Sequence, residues 1–155
     1  MTDHNLLHRR HLLGLAAGGI ALVAAPALAA PRLPAMVTWR SPTCGCCIKW
    51  VEAMRRTGFT VTVRETADMA AIKTRLKVPG SVYSCHTTEV GGLVVEGHVP
   101  AEVVRRLLAR RPAGMIGVSA PGMPLGSPGM EVASGEKEPL NLTLFTAAGR
   151  TLRFA

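Results

Sequence analysis

Three of the four cysteines in this 155-residue chain fall within Cys44-Gly45-Cys46-Cys47, and the fourth, Cys85, is followed directly by His86. Thiols crowded in this way support either disulfide exchange or the holding of a soft metal. Cys44 and Cys47 make a C-x-x-C pair, the spacing of disulfide oxidoreductases, with Cys44 as nucleophile and Cys47 as resolving thiol. Cys46 intrudes between them and gives any Cys44–Cys47 disulfide an internal attacker. For a metal the same intrusion helps, because three sulfurs converge at little ordering cost. Softness then favours Cu(I), with Zn(II) as the main rival. A structural zinc site usually takes a second cysteine pair or two spaced histidines, and the sequence has neither a second C-x-x-C nor an H-x-x-x-H. A purely structural disulfide role is disfavoured too. Adjacent Cys46 and Cys47 have Cα atoms about 3.8 Å apart, below the roughly 4.4–6.8 Å that a disulfide spans.

The remaining candidate ligands each have a plainer alternative. Cys85 reads either as a buried core thiol or as lining the site, and His86 either joins it or points away on strand alternation. His98, between Gly97 and Pro100, is a candidate ligand, a helix cap or a solvated side chain. Met123 and Met130 sit among Gly and Pro without apolar periodicity, so thioether ligation competes with ordinary gap-filling. Met36, Met54, Met69 and Met115 read as packing.

The elements that must position these residues follow from the pattern around them. Met36–Trp39 reads as a short buried strand and Ser41-Pro42-Thr43 as a turn. Cys47, Trp50, Val51 and Met54 recur at helical spacing up to a Gly58 cap. At such a helix start the free N–H groups and the dipole lower a thiol's pKa. Phe59–Val63 alternates as a strand, and Asp68 caps a short helix through Met69, Ile72 and Leu76. Thr87–Val95 is a hairpin turning at Gly91-Gly92. Pro100 opens a helix whose apolar face is Val103, Val104, Leu107 and Leu108, with Pro112 as its stop and Arg105, Arg106, Arg110 and Arg111 on a solvated face beside Glu102. Gly114–Met130 reads as a long irregular Gly/Pro/Met-rich segment, and Leu140–Phe145 with Thr151–Phe154 as a closing hairpin. A parallel strand pair joined by a helix, then a hairpin covered by a last helix, gives an α/β fold of thioredoxin-like βαβ-α-ββα arrangement. In that arrangement the start of the third strand faces the first helix's N-terminus and normally carries a cis-proline. Here Ser84-Cys85 occupies it, and Pro79 comes too early.

Residues 1–29 have the layout of an export signal: Arg9-Arg10 in a basic stretch, the apolar run Leu12–Ala25, and the small-residue pattern Ala27-Leu28-Ala29. The paired arginines resemble a twin-arginine signal, and an ordinary secretory signal fits as well. Residues 30–155 are then one domain working outside the cytoplasm, in a periplasm where one exists, without a membrane anchor after cleavage. The net charge of +8 leaves the domain basic. Export, few aromatics and the absence of a binding motif argue against nucleic acid as partner.

Taken together, Ser41-Pro42-Thr43-Cys44-Gly45-Cys46-Cys47, Ser84-Cys85-His86-Thr87, Glu96-Gly97-His98-Val99-Pro100 and the Pro-Gly-Met-Pro and Gly-Ser-Pro-Gly-Met-Glu runs within Val118–Glu131 resemble a bacterial family long labelled as of unknown function. It includes the CopG-type periplasmic copper-resistance proteins. The resemblance spans about residues 36–131. It implies a thioredoxin-like domain that binds copper through the C-x-C-C cysteines, as a multinuclear Cu(I) cluster, in copper resistance, with redox activity between Cu(I) and Cu(II). By position the ligands would be Cys44, Cys46, Cys47 and Cys85, with His86 and His98 nearby. The partners it implies are copper ions and other copper-handling proteins.

Overall fold

The computed structural model describes residues 32–154; the expected export signal lies outside them. β1 (Met36–Arg40) leads through the Ser41–Cys44 turn into α1 (Gly45–Arg56), which returns to β2 (Val61–Glu65), parallel to β1. Gly58 takes φ +94, a backbone region open mainly to glycine, and its N–H bonds Arg55 O to close α1. Asp68 caps α2 (Met69–Arg75) by accepting from Ala71 N–H at 2.8 Å.

A 3-10 turn at Gly80–Val82 precedes β3 (His86–Val90), which runs antiparallel to β1 with Arg40 opposite His86. β3 turns into β4 (Leu93–Gly97) at Gly91 and Gly92, both with positive φ, the backbone of a type I′ hairpin. α3 (Ala101–Ala109) follows, N-capped at Pro100.

Past α3 the structure departs from the expected irregular segment. Met115–Ala120 forms β5, parallel to β4, so β4, α3 and β5 make a second βαβ unit. The strand is hard to recognise because Gly117 and Ser119 interrupt any alternation. Gly117 is required by packing: a Cβ there would overlap the Phe145 ring and Val94 O. β6 (Thr143–Thr146) and β7 (Thr151–Arg153) form the closing hairpin. β6 pairs with β5, so the hairpin extends the same seven-stranded sheet, in the order β2-β1-β3-β4-β5-β6-β7.

The main core lies between α1, α3 and one sheet face, where Trp50, Val51 and Met54 meet Val95, Val104, Leu107 and Val118. Trp50 Nε1 donates to Val99 O at 3.0 Å and ties α1 to the segment after β4. A smaller cluster of Leu76, Val78, Val82, Val94 and Phe145 covers the other face. Two arginines expected on a purely solvated face of α3 lie over aromatic rings instead, Arg105 on Phe59 and Arg106 on Phe154. Their long stems and flat heads cover apolar surface while the charge stays near water. Among the described residues no helix is long and apolar enough to cross a membrane.

Candidate metal centre

β1 delivers the cysteine loop to the start of α1. Cys44 is the N-cap residue, with no side-chain capping bond, and Cys46 and Cys47 sit in the first helical turn. The buried side chain of Arg40, the last residue of β1, organises this loop. Its Nη1 donates to Ser41 O (2.9 Å), Pro42 O (3.2 Å) and Cys44 O (3.3 Å), and its Nη2 pairs with Glu65. A guanidinium can fork to several carbonyls at once, which an ammonium cannot do in one fixed geometry.

Cys44 and Cys47 are joined as a disulfide, while Cys46 and Cys85 are free thiols. Cys46 Sγ lies 3.6 Å from Cys44 Sγ, 4.0 Å from Cys85 Sγ and 3.8 Å from Met123 Sδ. All four cysteine sulfurs fall within 4.8 Å of one another. Cys85 stands just before β3, facing the first turn of α1. Its Sγ is 3.3 Å from His86 Nδ1 and 3.1 Å from His98 Nε2, so cysteine and both imidazoles form a second close group.

His86 and His98 are fully buried, so the solvated and helix-capping readings of His98 do not hold: Pro100 is the N-cap of α3. The His86 ring packs on Trp50 at 4.5 Å between centroids and meets His98 edge-on at 5.1 Å. His98 Nδ1 lies 2.8 Å from Pro128 O. A carbonyl only accepts, so Nδ1 carries the proton and Nε2 presents its lone pair to Cys85. This is the outer-sphere device by which metal-ligating histidines are commonly oriented. His86 turns Nδ1 toward Cys85, and its Nε2 is buried without a hydrogen-bond partner.

The protonation states agree with that geometry. Burial, then the neighbouring Cys46, pushes the Cys85 thiol up to about 12, so it keeps its proton at neutral pH. Burial, then His98 and Lys73, holds His86 well below the ordinary imidazole value. Burial also lowers His98, against the opposing pull of the Pro128 carbonyl and Glu131. The metal-free centre therefore offers neutral imidazoles and a neutral thiol, and a soft cation would displace the thiol proton. The sulfurs of Cys44 and Cys47 become thiolate donors once their disulfide is reduced. The donor set of four sulfurs, two imidazoles and a thioether fits a soft ion.

Of the residues picked out by sequence, the structure gathers Cys44, Cys46, Cys47, Cys85, His86, His98 and Met123. Met130 enters through its backbone, which closes turns with Gly126 and Ser127. The Gly/Pro-rich segment nevertheless serves the centre through residues the sequence did not single out. Gly129, at φ +85, lies flat against α1, where a Cβ would come within 2.6 Å of Trp50 N and 3.0 Å of Cys46 O. That close approach brings Pro128 O to His98. Ser84 Oγ donates to Gly122 O at 2.6 Å, next to Met123. Arg40 was also missed, although a lone cation ending an apolar strand just before a cysteine loop was a readable signal. A backbone carbonyl such as Pro128 O leaves none.

A mixed sheet whose helix start gathers cysteines able to hold metal defines the class of protein. The family model described as "Protein of unknown function, DUF411" matches residues 82–130, the stretch with Cys85, His86, His98 and the Pro-Gly-Met runs. Two solved structures of copper resistance protein copG, Form 1 and Form 2, are 41% identical in sequence, each with a TM-score of 0.73. They cover 79% of this chain, and 96% and 97% of their own. No curated protein sequence matches the chain. The chain belongs to the family that includes copG.

Proposed function

We propose that this protein is an exported, periplasmic copper-binding protein of thioredoxin-like fold, serving copper resistance. It holds Cu(I) as a multinuclear cluster on the thiolates of Cys44, Cys46, Cys47 and Cys85, with His86, His98 and Met123 completing the donor set. The observation that carries this reading is the convergence of four cysteine sulfurs within 4.8 Å beside two neutral, buried imidazoles. Dense thiolate with imidazole and thioether selects Cu(I) over harder ions, and bridging sulfurs let one small site hold several ions. The sheet order β2-β1-β3-β4, with Cys85 where a cis-proline would stand, supports the thioredoxin-like reading; the described residues contain no cis peptide. Relatedness to a protein titled for copper resistance points the same way.

Each residue has a task in this reading. Arg40 shapes the loop that presents Cys44 and Cys46. The first turn of α1 holds Cys46 and Cys47 beside Cys44 and Cys85. Cys85 gives up its proton as metal arrives, and His98, held by Pro128 O, keeps its Nε2 lone pair on the site. Cycling between Cu(I) and Cu(II) belongs to the same proposal, since thiolate and imidazole together serve both oxidation states.

The test is anaerobic Cu(I) titration of the reduced protein against a competing chelator, wild type beside Cys46→Ser. The reading expects more than one tightly held Cu(I) per chain and a marked loss in the variant. Fewer than one ion, or unchanged binding in Cys46→Ser, overturns it. The Cys44–Cys47 disulfide favours a second reading, a thiol–disulfide oxidoreductase. That function would survive Cys46→Ser in a disulfide-reduction assay and would not need copper.

A further inference from the structure

A buried charge pair lies across the sheet from the copper ligands. Lys73 from α2 and Glu96 from β4 are 5% and 0% exposed, and their side chains form an ion pair. Lys73 Nζ also donates to Thr87 Oγ1 at 3.0 Å, Thr87 Oγ1 donates to Glu96 Oε2 at 2.7 Å, and Ser84 N–H donates to Glu96 Oε1 at 2.6 Å. Strand alternation puts Thr87 and Glu96 on the α2 face, whereas His86 faces α1. Burying two charges gains little over packing apolar groups of the same size, so stability alone is a poor account of this pair.

Its position along the chain supplies a better one. Ser84 and Thr87 bracket Cys85 and His86, and Glu96 stands two residues before His98. A single carboxylate thus grips the chain on both sides of two candidate ligands and on the strand that leads into a third. Ser84 passes the constraint on, because its hydroxyl holds Gly122 O beside Met123.

We propose that Glu96, held in place by Lys73, is a positioning residue that sets Cys85 against Cys46 and His98 and registers Met123 over Cys46. The purpose of this placement rests on the copper reading; the placement itself is tested without copper. In the metal-free protein with the Cys44–Cys47 disulfide intact, Cys46 and Cys85 are the free thiols. Their relative rates of alkylation by iodoacetamide, read by mass spectrometry, give an internal ratio that reports the setting of Cys85.

Three variants separate positioning from stability. Lys73→Met with Glu96→Leu removes the charges and every acceptor for Ser84 and Thr87. Its melting temperature is expected to fall, because the buried Thr87 hydroxyl and Ser84 N–H lose their acceptor, and at a temperature where it stays folded the Cys85-to-Cys46 ratio is expected to change about tenfold. Lys73→Met with Glu96→Gln keeps an acceptor for Ser84 N–H and is expected to return the ratio most of the way. Thr87→Val, nearly isosteric, removes one arm and is expected to shift the ratio in the same direction by a smaller factor. A wild-type ratio in folded Lys73→Met/Glu96→Leu overturns the proposal, and so does a wild-type ratio in Thr87→Val should the double variant not fold. If the wild type instead fails to bind Cu(I), the copper reading falls while the alkylation ratios still decide the role of Glu96.

Discussion

Replacing Gly129 by alanine tests whether the Gly/Pro-rich segment orients His98, a candidate copper ligand. Two costs arise at this position. The residue sits at φ +85, where an L side chain pays about 1–2 kcal/mol. Its new Cβ would also lie 2.6 Å from Trp50 N and 3.0 Å from Cys46 O and Lys49 C. These are backbone atoms of α1 and cannot rotate aside, so the segment must lift away. Lifting it breaks the 2.8 Å bond between His98 Nδ1 and Pro128 O, worth about 1 kcal/mol net. The expected loss of stability in the metal-free protein is therefore about 2–3 kcal/mol by urea unfolding. The Nδ1–H tautomer of His98 should lose its dominance in imidazole nitrogen NMR shifts. Cu(I) affinity by chelator competition should fall about 10- to 100-fold, as when outer-sphere partners of metal-bound histidines are removed. Gly135→Ala is the control: it too has positive φ, +73, but its Cβ meets nothing within 4 Å. It should pay only the backbone cost and bind copper normally. Wild-type tautomer and copper affinity in Gly129→Ala would refute the orienting role of Pro128.

Arg40→Met should cost about 2–3 kcal/mol in urea unfolding, from three lost bonds to loop carbonyls at about 1 kcal/mol each, and Arg40→Lys should recover less than half. For the metal-free protein, His86 and His98 have pKa values lowered by folding, so the unfolded chain binds their protons first as pH falls. Stability is complete above the ordinary imidazole value near 6.5 and drops below it, with a slope approaching roughly 1.4 kcal/mol per pH unit for each histidine that stays neutral in the fold. A stability curve flat from pH 7 to 5 would contradict this. Met123→Leu, at a half-exposed thioether 3.8 Å from Cys46 Sγ, should change folding stability by less than about 0.5 kcal/mol yet speed the chelator's removal of Cu(I). Met130→Leu should leave that rate unchanged, and equal rates in the two variants would exclude Met123 as a ligand.

Legibility in the sequence followed the range over which each physical cause acts. The loop before α1, the Asp68 cap and the Gly91-Gly92 hairpin arise from neighbouring residues, and all were readable. β5 was not, because Met115–Ala120 is a strand by virtue of its partners: β4 and β6 flank it, and Phe145 fills the space over Gly117. The cysteines and histidines announced themselves by type, and their meeting at the start of α1 followed once the strand order was read. Met130 shows the limit of that reasoning, since the same Pro-Gly-Met triplet that places Met123 at the sulfurs uses its second copy for backbone turns. Lys73 lies on the apolar stripe of α2 with Met69, Ile72 and Leu76, where a charge signals a buried partner, but nothing local names that partner as Glu96.

The pairing of β5 with β6 has a consequence for how firmly the centre is held. Residues 121–142, which carry Met123, Pro128 and Gly129, leave the sheet from β5 and re-enter it on the adjacent strand. They form a closed loop rather than a tail, and the chain entropy of closing it is met by the sheet and not by the metal. The terminal hairpin thus acts as a remote tether. A chain ending soon after Met130 would keep every candidate ligand yet leave this segment fixed at one end only, and copper would then have to supply the ordering that β6 and β7 otherwise provide.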